Sequence, residues 1–203
     1  MRRTVLLLAT MALTLLVASG VALAVTRIGT DGPDILRGTT GDDNLVGLGG
    51  NDRIFGGLRG NDNLLGGPGK DLVIGGTADY RRGGGDRTVV GGPGNDLLAG
   101  GRGSDNVVGD AGNDYLSDGP SSDSSVDKLS GGDGTDVATP INKPASKDIV
   151  SCGAGKDWVL VDRKDVVAPD CEKLFVGQGS LAAFYEYDPH NFWGGLPHFS
   201  FGE

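Results

Sequence analysis

Aliphatic residues recur along most of the chain at intervals of about nine positions, and each one stands two positions after an Asp. Glycine-rich segments separate them, and glycine favours turns because it tolerates positive φ and weakens helices. The pattern therefore predicts many short strands joined by tight turns, with one row of aliphatic side chains facing inward. Strands this short cannot bury a core alone, so the repeats must stack. The inward positions are Leu36, Leu45, Ile54, Leu64, Val73, Leu98, Val107, Leu116, Leu129 and Val159.

The interval is that of a nine-residue repeat with the pattern G-G-x-G-x-D-x-U-x, where U is aliphatic. The Asp column keeps this register, since Asp34, Asp43 and Asp52 are nine residues apart, as are Asp62 and Asp71. A flexible Gly/Ser linker would not place an aliphatic residue after each Asp. The ten copies begin at Gly29, Gly38, Gly47, Gly56, Gly66, Gly91, Gly100, Gly109, Gly131 and Cys152.

Three interruptions divide the array and contain Gly, Ser and Pro, which are typical of loops. We predict that they leave the array as loop insertions near residues 75–90, 118–130 and 140–151. The array itself is predicted to span residues 25–160. A C-terminal cap over residues 161–176 and an aromatic-rich tail over residues 177–203 are expected to follow.

Residues 1–24 have the features of a secretory signal peptide. Arg2 and Arg3 form a positive start, an apolar run follows, and Ala22-Leu23-Ala24 is an A-x-A cleavage site. A membrane anchor is the alternative, but the apolar run is short and no stop-transfer charges follow it. We therefore expect a secreted, extracellular protein with no transmembrane segment after removal of the signal.

The composition is acidic and rich in glycine, with 38 Gly, 27 acidic and 18 basic residues, and a net charge of -9. Nucleic-acid binding is not expected, because it needs basic groups to neutralise phosphates. The acidic residues are 24 Asp and only 3 Glu. Asp favours tight turns, and turns rich in carboxylate and carbonyl oxygens suit hard cations such as calcium.

The nonapeptide resembles the repeat of the repeats-in-toxin (RTX) haemolysin-type calcium-binding family, over roughly residues 28–160. The resemblance implies an all-β fold, a parallel β-roll or β-solenoid, in which six residues of each repeat form a turn and three form a strand. It also implies several calcium ions between turns that are stacked two repeats apart. In such a roll the sixth-position Asp supplies a carboxylate and the turns supply carbonyl oxygens.

The resemblance is carried over only to Asp residues that match the motif. Asp86 and Asp148 lack the preceding Gly pair and are not expected to bind metal. For any one Asp the alternative is a side chain that caps its turn without metal. Magnesium is expected to bind less well, because it demands near-octahedral geometry and gives up water reluctantly. The predicted ligands are Asp34, Asp43, Asp52, Asp62, Asp71, Asp96, Asp105, Asp114, Asp136 and Asp157.

Two cysteines, Cys152 and Cys171, bracket the end of the array. We predict that they form a disulfide that locks the last coil, since a solenoid end exposes strand edges and core. The alternative is a cysteine-based catalytic or metal site, but no His lies near either residue in the sequence.

The chain lacks the signatures of common catalytic sites: it has no H-E-x-x-H, no G-x-S-x-G and no P-loop. We therefore expect a calcium-binding module that is not an enzyme. The alternative is an adhesion or ligand-binding protein that uses the roll as a calcium-rigidified stalk. In that case the tail over residues 177–203, with seven of the chain's aromatic residues, would contact a cell-surface or extracellular ligand.

Overall fold

A computed structural model describes residues 23–76, 85, 87–119, 124–142 and 145–176. The expected signal peptide lies outside these residues, apart from its last two positions. The aromatic-rich tail and Asp86 also lie outside them.

Sixteen strands form two sheets of eight, and consecutive strands alternate between the sheets. The odd-numbered sheet contains β1 (Thr26–Ile28), β3 (Asn44–Val46), β5 (Asn63–Leu65), β7 (Thr88–Pro93), β9 (Asn106–Ala111), β11 (Lys128–Gly134), β13 (Ile149–Gly155) and β15 (Val166–Val167). The even-numbered sheet contains β2 (Ile35–Arg37), β4 (Arg53–Gly57), β6 (Leu72–Gly76), β8 (Leu97–Ala99), β10 (Tyr115–Ser117), β12 (Val137–Thr139), β14 (Trp158–Val161) and β16 (Lys173–Val176).

Every neighbouring pair of strands in each sheet is parallel, so the chain winds as a parallel β-solenoid of about seven turns. We call each full circuit a coil. The described residues contain no helix, and therefore none that is long and apolar enough to cross a bilayer. The predicted all-β parallel β-roll is confirmed.

The core is a narrow double row of aliphatic side chains between the two sheets. All ten predicted inward residues are buried, from Leu36 at one end to Val159 at the other. Each lies opposite its counterpart in the next coil, as Leu64 lies opposite Val89. Val89 and Val150 also belong to this core, although the sequence argument placed them in or beside loops. The loops near 75–90 and 140–151 are therefore shorter than predicted, because β7 begins at Thr88 and β13 at Ile149.

The two sheets continue past residue 160. Strand β15 pairs with β13, and β16 pairs with β14. Residues 161–176, which we expected to cap the roll, thus add a final pair of strands. The predicted disulfide between Cys152 and Cys171 is present and ties this last coil to β13. On the outer side, the Trp158 and Phe175 rings stack with their centroids 6.0 Å apart.

The two edges of the solenoid differ in regularity. On the first, which we call the regular edge, the chain passes from odd-numbered to even-numbered strands. Seven six-residue segments lie on this edge, and each ends on an Asp: 29–34, 47–52, 66–71, 91–96, 109–114, 131–136 and 152–157. Strands β7, β9, β11 and β13 extend into four of these segments, and the last connection on this edge, 168–172, is one residue shorter. On the second, the variable edge, the turn over 56–62 has one extra residue, and the segments 75–87, 118–127 and 140–148 are longer still. All the insertions therefore leave the solenoid from one edge.

Candidate metal centre

The Asp residues that end the turns form two rows, one along each edge. The regular row contains Asp34, Asp52, Asp71, Asp96, Asp114, Asp136 and Asp157. The variable row contains Asp43, Asp62, Asp105, Asp127 and Asp148, with Arg87 between Asp62 and Asp105. All ten predicted ligands lie in these rows. The structure thus brings together residues that are 18 to 25 positions apart in the sequence.

Within the regular row, each carboxylate is fixed by the neighbouring coil. The backbone N–H of one Asp donates to Oδ1 of the next Asp, over distances of 2.7–2.9 Å. The carbonyl oxygen of each Asp accepts the hydrogen bond that continues the sheet, as Asp71 does from Leu97. One carboxylate oxygen of each side chain is therefore committed to the backbone, and the other is left to face the turn.

The second oxygen, Oδ2, has no hydrogen-bond partner among the described residues at most of these positions. Burying a carboxylate oxygen without a hydrogen-bond donor strongly destabilises the folded state. A cation is the natural partner for such an oxygen. The buried Oδ2 atoms without a partner in the regular row are those of Asp52, Asp71, Asp96, Asp114, Asp136 and Asp157.

Asp34 and Asp43, in the first two repeats, are different. Thr30 donates to Asp34 Oδ2 through its backbone N–H at 2.6 Å and through its hydroxyl at 2.9 Å. The backbone N–H of Thr39 donates in the same way to Asp43 Oδ2. At these two positions the side chain caps its own turn, which is the alternative that the sequence left open.

A second oxygen faces each open carboxylate. A Cβ atom added at Gly47 would lie 2.2 Å from Asp52 Oδ2 and 2.4 Å from the carbonyl oxygen of Gly66 in the next coil. At Gly109 the same point lies 2.4 Å from Asp114 Oδ2 and 2.5 Å from the carbonyl oxygen of Gly131. The absence of a side chain thus leaves a carboxylate and a carbonyl oxygen facing one small space. An all-oxygen donor set fits calcium.

Close stacking of the coils explains why the second position of most repeats is glycine. Gly132 has φ +122°, and a Cβ there would lie 1.8 Å from the carbonyl oxygen of Asp110 in the preceding coil. A side chain at this position would combine backbone strain with a steric clash. Glycine therefore keeps the turn carbonyls of successive coils close to the Asp rows.

Burial disfavours the charged form of these carboxylates. Loss of water raises the pKa of Asp96 and of Asp136 to about 7, and that of Asp71 and of Asp114 to about 6. The backbone hydrogen bond to each Oδ1 opposes this rise in pKa, while neighbouring carboxylates add to it. Without a positive partner, these four carboxyl groups would therefore hold protons at a higher pH than an ordinary Asp.

The variable edge carries a buried cluster of three carboxylates. Asp118, Asp127 and Asp148 each offer an oxygen that lies within 4.8 Å of the others. Asn142 Nδ2 donates to Asp118 Oδ2 at 2.6 Å, and Ser146 Oγ donates to Asp148 Oδ2 at 3.0 Å. Burial raises the pKa of Asp118 well above its ordinary value, and the charges of Asp127 and Asp148 raise it further.

Sequence reasoning missed several of these residues. Asp148 was set aside for lack of a glycine pair, yet it lies in the variable row. Asp118 was assigned to a loop, although it stands where a repeat would begin with glycine, directly after the strand Tyr115–Ser117. The rows end on Asp165 and Glu172, which accept hydrogen bonds from the backbone N–H of Asp148 and of Asp157. Glu172 was not predicted, because nothing in the nonapeptide pattern marks it.

Comparison with protein families agrees with this geometry. The model of the RTX calcium-binding nonapeptide repeat (4 copies) matches residues 28–58, 57–79 and 82–116. These segments are similar to RTX repeats, over less than half of the chain. Comparison with curated proteins gives no match, and neither does comparison with solved structures.

The RTX match and the β-roll together support calcium binding by the Asp-rich turns. The family match ends at residue 116, whereas both sheets and both Asp rows continue beyond it. The later RTX-like coils differ from the matched ones mainly on the variable edge, where two of the longer segments lie.

Proposed function

We propose that the protein is a secreted, non-catalytic calcium-binding module whose β-roll folds around several calcium ions held along the two Asp rows. The observation that carries the proposal is the set of buried Oδ2 atoms that have no hydrogen-bond partner in the described part of the regular row. Each would bind calcium together with turn carbonyl oxygens, such as that of Gly66 beside Asp52.

The stacking of like charges supports a need for cations. Coils in a parallel sheet are about 4.8 Å apart. Two carboxylates at that distance repel by about 0.9 kcal/mol in water and by more near protein. The rows repeat this contact along the solenoid, while the core between the sheets consists mainly of aliphatic side chains in a narrow double row. Calcium supplies the positive charge that turns the repulsion within a row into attraction.

Calcium binding should therefore be coupled to folding. The ligands come from different coils, so no site exists until the coils stack, and the free energy of binding becomes free energy of folding. Ordering a glycine-rich chain costs about 1–2 kcal/mol of backbone entropy per residue, which the thin core must overcome without metal.

A calcium titration followed by far-UV circular dichroism tests this proposal. In chelator we expect a largely disordered spectrum, and on adding calcium a cooperative change to β structure. Magnesium at the same concentration should produce much less change. A spectrum with full β content in chelator, or an equal response to both ions, would contradict specific calcium-dependent folding.

Secretion is supported by the signal-like segment over residues 1–24 and by the disulfide, a bond typical of oxidising compartments. The test is to express the full chain and determine the N-terminus of the protein recovered from the medium. We expect it to begin at Val25. Recovery of the uncleaved chain from the cells alone would contradict secretion.

A further inference from the structure

Each coil contributes one position, which we call a step, to the variable row. Among the described residues, a single step of this row has Arg87 in place of Asp. The main chain at this step keeps the pattern of the row. The backbone N–H of Arg87 donates to Asp105 Oδ1 at 2.9 Å, and its carbonyl oxygen accepts from the Asn106 N–H at 2.8 Å. The core position two residues later, Val89, is also retained. Only the side chain has changed, from an anion to a cation.

The Arg87 side chain is fully buried and points to oxygen atoms. Its Nε lies 3.1 Å from Asp62 Oδ2, and both side chains have 0% exposure. Its Nη1 donates to the carbonyl oxygens of Gly85 at 2.9 Å and Arg102 at 2.8 Å. The guanidinium thus contacts one row carboxylate and two turn carbonyls. No other Lys or Arg of the described residues is buried.

The side chain also fills the space that is open at other steps. A Cβ added at Gly47 or Gly109 would meet the Oδ2 of the row Asp that ends the same turn. At the equivalent Gly75, the nearest side-chain atom is Arg87 Cδ, at 2.6 Å, together with the carbonyl oxygen of Gly100 at 1.9 Å. The stem of Arg87 therefore occupies the place of a row carboxylate, while its charged end reaches Asp62 in the preceding coil.

We infer that Arg87 is a built-in cation that takes the place of a calcium ion at the step between Asp62 and Asp105. The inference rests on the proposed function, because it takes calcium to be the cation at the steps that lack an arginine. A guanidinium carries a permanent positive charge and donates to the same oxygen types that bind calcium. This step is therefore neutralised at any calcium concentration.

The test is to count the calcium ions bound per chain, by equilibrium dialysis, in the wild type and in Arg87→Asp. The substitution restores the carboxylate that the neighbouring coils have, so the variant should bind one more ion than the wild type. It should also need more calcium to fold, because the internal cation is gone. Arg53→Asp is the matched control. It makes the same change of charge at an exposed position of β4, and it should leave the number of bound ions unchanged.

The outcomes separate this inference from the proposed function. A wild type that binds no calcium overturns both. A wild type that binds calcium, with an Arg87→Asp variant that binds the same number, overturns the inference alone. The variant must also regain the wild-type far-UV spectrum in saturating calcium, since it then matches the Asp steps on either side. Failure to regain that spectrum, or an equal gain of one ion in Arg53→Asp, overturns the inference as well.

Discussion

At the scale of single residues, each Asp of the regular row uses its two carboxylate oxygens differently. In Asp96, Oδ1 accepts the backbone N–H of Asp71, whereas Oδ2 is buried without a hydrogen-bond partner in the described structure. The Oδ1 contact needs only a hydrogen-bond acceptor, whereas the buried, negatively charged Oδ2 needs a cation beside it. A substitution that keeps the acceptor and removes the charge can therefore separate a structural role from metal binding.

Asp96→Asn is that substitution. We expect the calcium concentration for half-maximal folding to rise about tenfold, equivalent to about 1.4 kcal/mol. In chelator the variant should show no less β structure than the wild type, because a neutral amide costs less to bury than a carboxylate. Calcium titration followed by far-UV circular dichroism measures both effects. Asp31→Asn, at an exposed position outside the rows, is the control, and an Asp96→Asn midpoint equal to that of the control would contradict a ligand role.

At the scale of strands, stability depends on which side of the sheet a side chain faces. Most of the three-residue strands bury only their central residue, as in β2, where Leu36 is buried between exposed neighbours. The strands contribute equivalent aliphatic residues, so the core is a uniform row along the solenoid. Each coil is therefore stabilised mainly by packing against the neighbouring coils.

Two isoleucines in neighbouring strands test this division. Ile54 in β4 is fully buried, while Ile35 in β2 is 61% exposed. Ile54→Ala should lower the free energy of unfolding by about 2–5 kcal/mol, and Ile35→Ala by about 0.5 kcal/mol or less. Urea unfolding in saturating calcium measures the two values. Similar losses from both variants would mean that the inward row is not the main apolar core.

The last pair of strands depends on a covalent tie. The disulfide joins residues 19 positions apart and holds the coil that contains β15 and β16. Replacing both cysteines with serine should lower the free energy of unfolding by about 3 kcal/mol in saturating calcium. Urea unfolding measures this change, and wild-type protein treated with reductant should fall to the same value. An unchanged unfolding curve would show that the disulfide does not stabilise the last coil.

At the scale of the whole molecule, the regular row makes folding respond to protons and calcium in opposite ways. The raised pKa values of Asp71, Asp96, Asp114 and Asp136, about 6 to 7, exceed the value of about 3.9 for Asp in an unfolded chain. Between these values the metal-free folded state binds more protons than the unfolded state. Its stability therefore falls as the pH rises from about 4 to about 7.

We accordingly expect more β structure in chelator near pH 4 than at pH 7.5. The calcium concentration needed for folding should decrease from pH 5 to pH 7.5, because protons leave the same carboxylates that bind the metal. Far-UV circular dichroism with and without calcium across this range checks both trends. A metal-free fold that gains stability as the pH rises would contradict the burial of unpaired carboxylates.

The sequence allows the fold and most row positions to be predicted because the repeat is local. Glycines, Asp and the aliphatic residue have fixed spacing, and stacking then brings residues 18 apart into contact, as with Asp34 and Asp52. Beyond an insertion this rule fails. Asp71 and Asp96 are 25 residues apart, yet they make the same contact. Arg87 and Asp118 were missed for a related reason, since their roles depend on where the longer segments rejoin the solenoid.

Because all the insertions lie on the variable edge, the stacked coils fix the heights along the solenoid axis at which the longer segments leave it. The three longer segments leave between β6 and β7, β10 and β11, and β12 and β13. Their bases are therefore two coils and then one coil apart, which corresponds to heights of about 10 Å and about 5 Å along the axis. A segment added at any of these points changes the length of the chain without changing these heights. The length and sequence of the inserted segments can therefore vary, while the spacing of their bases is set by the stacked strands.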